Sequence, residues 1–96
     1  MKQPIYVNMT ARASFSMSVD GAAAAADAVR MEVYDPLGQI KHTLTLANGG
    51  VVNPEVGLYR GAFVPDTPGV WKVVVYASRG TDSVITKNEF YVSPLN

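Results

Sequence analysis

Apolar and polar residues alternate at every second position along most of this chain, and that alternation limits the fold more than any other feature. In residues 12–19, RASFSMSV, the residues Ala13, Phe15, Met17 and Val19 fall on one side and Arg12, Ser14, Ser16 and Ser18 on the other. Successive side chains of an extended strand point to opposite faces, so the stretch predicts a strand with one face in a core and one in water. Residues 28–34, AVRMEVY, repeat the pattern with Val29, Met31 and Val33 inward and Arg30 and Glu32 outward. The DPLG that follows places Pro36 and Gly38 at the second and fourth positions of a type I turn. A tight hairpin is predicted, returning through QIKHTLTLA with Ile40, His42, Leu44 and Leu46 alternating against Gln39, Lys41, Thr43 and Thr45.

Beyond the NGG at 48–50, residues 51–56 contain Pro54, which cannot donate to a ladder and so belongs at an edge or in a loop. LYRGAFV sets Tyr59 and Phe63 on one face with Gly61 between them, a bulge or a close approach. In VWKVVVYA, Trp71, Val73, Val75 and Ala77 point one way and Lys72 and Tyr76 the other; its β-branched run predicts a central strand. SRGTDS forms the last hairpin loop, and VITKNEFYV returns with Phe90 and Val92 inward and Lys87, Glu89 and Tyr91 outward. The alanine run at 22–26 is too short for an independent helix and is expected to be a loop or a single turn. With a short strand near Ile5–Val7, the pattern predicts an all-β fold: an immunoglobulin-like β-sandwich of about seven antiparallel strands. The expected core is Phe15, Met17, Val33, Tyr59, Phe63, Trp71, Val73, Val75 and Phe90, with Trp71 at its centre and Tyr59 bonding its hydroxyl to backbone.

With 96 residues, 48% of them hydrophobic, the chain has material for a single domain over 1–96, in which 1–9 is an N-terminal arm or edge strand and 94–96 a tail. Eight basic residues balance eight acidic ones without a block of either sign, which argues against nucleic acid or an anionic membrane as a partner. The absence of cysteine excludes disulfides and thiolate chemistry. The serines at 14, 16 and 18 interrupt what would otherwise be the apolar stretch of a secretory signal, and no run approaches a membrane span.

No catalytic, cofactor-binding or metal-binding residues are expected, and no small-molecule substrate. His42 is in phase with Ile40 and Leu44 and reads as a half-buried strand residue, without the nucleophile and orienting carboxylate that catalysis needs. Asp20, Asp27, Asp35, Asp66 and Asp82 fall mostly in predicted loops, lack the spacing of a calcium loop, and suit turn geometry. NMT at 8–10 matches the glycosylation acceptor, a motif that arises readily by chance.

Three segments together carry a family resemblance. VYDPLGQIKHTLTL, then GLYRGAFVPDTPGVWKVVVYA, then NEFYV resemble the small immunoglobulin-like virion proteins of tailed bacteriophages over roughly residues 10–93. The matching positions are Asp35, Pro36 and Gly38; Gly57, Tyr59, Phe63 and Pro65; Gly69 and Trp71; Glu89, Phe90 and Val92. The resemblance implies a non-enzymatic structural protein of the virion, assembled in the bacterial host cytoplasm and present in many copies. Its partner would be the major capsid protein or another virion protein, and its first expected role is capsid decoration. A place at the head–tail joint or on the tail, or an Ig-like adhesin or carbohydrate-binding module, are the alternatives. Ile5, Tyr6, Tyr34, Tyr76 and Tyr91 are the expected interface, because tyrosine offers rigid contact area with a polar tip.

Overall fold

The computed structural model describes residues 5–94, leaving 1–4 of the expected arm and 95–96 of the expected tail outside the described residues. The described residues form ten strands: β1 (Ile5–Tyr6), β2 (Ala11–Ser16), β3 (Ser18–Val19), β4 (Ala22–Ala23), β5 (Ala28–Tyr34), β6 (Ile40–Thr45), β7 (Val51–Glu55), β8 (Leu58–Phe63), β9 (Gly69–Arg79) and β10 (Asp82–Ser93). One sheet runs β1-β10-β9-β5-β6, a second runs β2-β8-β7, and β3 and β4 form a small hairpin of their own. The larger sheet gives Val29, Met31, Val33, Trp71, Val73, Val75, Ala77 and Val92 to the core. The smaller gives Ala11, Val51, Tyr59 and Phe63, with Phe15 half-buried beside them. The fold is thus all-β and sandwich-like, with period-2 alternation in the sequence converted into two facing apolar surfaces. Burying each such valine or methionine stabilises the fold by about 1.5–3 kcal/mol relative to exposure.

The expectation of seven antiparallel strands is corrected in two ways. Strand β1 is parallel to β10, with Ile5 opposite Val92 and Tyr6 opposite Ser93. It runs beside the end of the last strand, and Asn8 at φ 69° then turns the chain toward β2 in the other sheet. Asparagine is among the few side chains that tolerate this region. The alanine run, expected as a loop, supplies β4: Asp20 and Gly21 have φ 52° and 81°, the paired positive values of a type I′ turn, and fold Ala22–Ala23 back on Ser18–Val19.

The stretch 12–19 is likewise not one strand. At Met17 the backbone leaves the β8 ladder: its N–H donates to Gly57 C=O (2.7 Å) and its C=O accepts from Ala24 N–H (3.0 Å), while Val19 ends up exposed. Strand β6 departs from the expected phase as well. Val33 pairs with His42 but Tyr34 pairs with Ile40, so a bulge at Lys41 flips Ile40 out of the core to 51% exposure. Pro54 lies in β7, an edge strand, at a register shift between Val52 and Glu55. Gly61 is a close approach without a bulge: a Cβ there would lie 2.9 Å from both Leu44 Cδ1 and Met31 Sδ. The last hairpin closes through Gly80 and Thr81 alone, because β9 and β10 extend into the expected loop.

Candidate interaction face

Strands β1, β10, β9 and β5 are consecutive neighbours in the larger sheet, so the residues between their buried positions share its outer face. Register places Tyr34 opposite Lys72, Glu32 opposite Val74 and Arg30 opposite Tyr76 across β5 and β9. Across β9 and β10 it places Val70 opposite Tyr91, Lys72 opposite Glu89, Val74 opposite Lys87 and Tyr76 opposite Ile85. Tyr6 is opposite Ser93 on the same side. Four of the expected interface residues, Tyr6, Tyr34, Tyr76 and Tyr91, are therefore brought to one face. Ile5 is not: paired with the buried Val92, it packs half-buried against the core.

Charged side chains hold two of these rings in place. The Arg30 guanidinium carbon lies 4.3 Å from the Tyr76 ring centroid, and Lys72 Nζ lies 5.1 Å from that of Tyr34. Arg30 Nε is 3.2 Å from Glu32 Oε2, and the Tyr34 hydroxyl donates to Glu32 Oε1 at 2.8 Å. Each contact at an exposed site is worth at most about 1 kcal/mol. Their joint effect is to restrain the rotamers of the Tyr34 and Tyr76 rings. Beneath them Val74 is only 4% exposed although it points away from the core, so the network covers the middle of the face. Its flanks are open and mixed: Tyr91 is 60% and Ile85 62% exposed, with Lys87 and Glu89 exposed between them on β10 and Val70 and Ile40 exposed nearby.

The carboxylate of Glu32 accepting the Tyr34 hydroxyl raises the Tyr34 pKa above its ordinary value of 10.0, with burial adding a lesser push. A raised pKa in the folded state means a contribution present below the ordinary phenol pKa and lost as pH climbs through the raised one. Glu32→Gln is expected to lower this titration toward 10.0, read as a shift to lower pH in the difference between wild-type and variant phenolate absorbance.

The other selected side chains occupy structural positions. Trp71 is fully buried and donates its indole N–H to Thr67 C=O at 2.8 Å. Phe15, Met17, Val33, Phe63, Val73, Val75 and Phe90 lie in or against the same core. The Tyr59 hydroxyl accepts from Ala26 N–H at 2.7 Å, tying β8 to the segment before β5. Tyr59→Phe leaves that half-buried N–H without its partner and is expected to cost about 1–3 kcal/mol, seen as a lower urea midpoint at unchanged slope. His42 is half-buried with its ring 5.8 Å from that of Phe63.

Two of the aspartates brace turn backbone, Asp66 lies 3.9 Å from Lys41 Nζ, and Asp82 opens β10. Asp35 accepts from Leu37 N–H (3.0 Å) and Gln39 N–H (2.9 Å), and Asp27 accepts from Gly80 N–H (2.6 Å). Among the described residues no three His, Cys, Asp or Glu side chains converge as a metal site, and no helix is long and apolar enough to cross a membrane. A shallow hollow at the end of the larger sheet is lined in part by Arg30, Leu46, Tyr76, Val84 and Ile85. The one carboxylate in its lining is Asp27, which accepts from Gly80 N–H.

The sequence pointed to the tyrosines but not to Arg30, Glu32, Lys72, Val70, Ile40 or Ile85 as their neighbours. Alternation within β5 already puts Arg30, Glu32 and Tyr34 on one side. Their partners across the sheet follow only from register.

No protein-family model matches the chain, and no curated protein matches it. Crystal structures similar to it in fold include the following two. A "putative glycoside hydrolase" from Bacteroides vulgatus ATCC 8482 aligns over 99% of this chain with a TM-score of 0.63 at 20% identity. A DUF4785 family protein (lpg0956) from Legionella pneumophila subsp. pneumophila str. Philadelphia 1 aligns over 93% with a TM-score of 0.61 at 14% identity. The chain spans 17% and 25% of the length of those two proteins. At such identities the likeness identifies an all-β, sandwich-like domain of a kind that also occurs as one part of larger proteins.

Proposed function

We propose that the chain is an immunoglobulin-like sandwich that acts without catalysis, as a structural protein of a tailed-bacteriophage virion that decorates the capsid shell through protein–protein contacts. The immunoglobulin-like reading is supported by strand order. A β7-β8-β2 sheet facing β6-β5-β9-β10, with β1 added to β10, has the D-E-B and C′-C-F-G arrangement of that fold. The virion reading rests on the sequence resemblance. The observation that carries the mode of action is the outer face itself, where Tyr6, Tyr34, Tyr76 and Tyr91 share one surface and two of the rings are held by cations. A pre-ordered face rich in tyrosine suits modest contacts that gain strength by repetition over a lattice.

Quantitative mass spectrometry of intact particles against their major capsid protein tests this. Hundreds of copies per particle, with Tyr76→Ala and Tyr91→Ala lowering occupancy, are expected. A handful of copies moves the protein to the joint or tail, and absence from particles ends the virion reading.

One observation favours a second reading. The likeness to part of a larger "putative glycoside hydrolase" fits an accessory module of a carbohydrate-active protein. Sugar binding by stacking needs open ring faces, and Arg30 and Lys72 already lie over Tyr76 and Tyr34. Binding on a glycan array that is lost in Tyr91→Ala would favour this reading over the first.

A further inference from the structure

Strand β10 pairs with β9 from Asp82 to Val92, but β1 meets its other side only at Val92 and Ser93. Val7 N–H donates to Ser93 C=O, so the odd-numbered residues of β10 turn their backbone groups away from β9. Ser83, Ile85, Lys87 and Glu89 therefore present N–H and C=O groups that no strand among the described residues takes up. Both faces of this stretch are open too: Val84 is 39% exposed on the side that faces the core farther along the strand, and Ile85 is exposed on the other. An unpaired edge of this length is a template for strand addition.

The far edge of the same sheet is treated differently. Strand β6 turns Thr43 and Thr45 outward, and the Asn48 side chain occupies them, donating to Thr43 C=O (3.1 Å) and accepting from Thr45 N–H (3.0 Å). Lys41 follows on the remainder of that edge. Among the described residues one edge is closed by a side chain and the other is left open.

We infer that the open edge of β10 is a homodimer interface, with β10 of a second copy adding antiparallel about a two-fold axis at Thr86. The strand is self-complementary in this register, and the other registers are selected against. Thr86 on the axis sets Ile85 against Lys87 of the second copy and Ser83 against Glu89, each pair exchanging both backbone bonds. Sliding by one step toward β1 opposes Lys87 to itself, a direct like-charge pair. Sliding further drives the incoming strand into β1 at Val92. The opposite slide leaves Glu89 beyond the pairing and shortens it. A two-fold contact also closes: the joined sheet ends on both sides in β6, which Asn48 blocks, so association stops at two copies.

The experiment uses the purified chain in solution and is independent of any virion role. Sedimentation velocity over a concentration series is expected to show a reversible monomer–dimer equilibrium, and a pure monomer at about 1 mM would overturn the inference. Ile85→Glu and Ile85→Lys remove the same exposed apolar side chain but place opposite charges against Lys87 of the second copy. The Glu variant is expected to dimerise about tenfold more tightly than the Lys variant; equal affinities or the reverse order overturn the register. Lys87→Pro removes an N–H that points away from β9, so it is expected to give a folded monomer by circular dichroism. A folded Lys87→Pro dimer would rule out this edge.

Discussion

Trp71→Ala is expected to remove a large share of the stability of the domain, lowering the urea midpoint by the equivalent of about 3–5 kcal/mol out of a total of about 5–15 for a domain of this kind. Trp71 lies on β9, the central strand of the larger sheet, and is fully buried. Its ring centroid is 6.3 Å from that of Phe63, which comes from the facing sheet, and it pairs across the ladder with Phe90. Removing it empties the space where both sheets meet and breaks the Phe63 contact that joins them. The indole N–H bond to Thr67 C=O at 2.8 Å disappears as well. Trp71→Phe keeps an aromatic filler but loses that bond and part of the volume, so an intermediate loss is expected. Both are read by far-ultraviolet circular dichroism, since the variants lack the only tryptophan. A melting temperature within a few degrees of wild type for Trp71→Ala would contradict this account, because a loss of this size corresponds to about 12–40 °C.

What the sequence disclosed and what it withheld divide along a physical line. Alternation within a strand is local, so the inward sets Val29, Met31, Val33 and Trp71, Val73, Val75, Ala77 were readable, and all of them are buried. The DPLG turn was readable for the same reason, and Asp35 C=O does accept from Gly38 N–H at 2.9 Å. Departures came where a distant partner decides the local backbone. Met17 interrupts β2 because Gly57 and Ala24 take its backbone groups, and the bulge at Lys41 depends on pairing with β5. The Asp20–Gly21 pair was a local hairpin signal, but the short, featureless alanines after it gave no alternation to read. At the candidate face the tyrosines were visible individually. That they meet, and that Arg30 and Lys72 lie over two of them, depends on pairings between strands far apart in sequence.

Gly57→Ala is expected to cost about 3 kcal/mol or more, far beyond what an alanine adds at other turns of this protein, and the comparison with Gly38→Ala shows why. Both glycines have φ near +80°, 80° for Gly57 and 83° for Gly38, a region that costs a residue with a Cβ about 1–2 kcal/mol. At Gly38 nothing lies within 4 Å of an added Cβ, so the conformational cost is the whole cost. At Gly57 the Cβ would lie 2.7 Å from Met17 C=O, 3.1 Å from Ala24 N and 3.2 Å from Ala23 Cβ. Those backbone atoms cannot swing aside as a side-chain end would, because they are bonded to one another and to Gly57. Met17 N–H donates to Gly57 C=O, and Met17 C=O accepts from Ala24 N–H. Relieving the clash therefore moves the turn between β7 and β8 away from the junction of β2 and β3 and loosens two buried backbone bonds, each about 1–3 kcal/mol when left unmade. Urea titrations of the two alanine variants measure the difference directly. A gap near zero would mean that the junction shifts freely, and the Met17 interruption of β2 would then not be fixed by the β7–β8 turn.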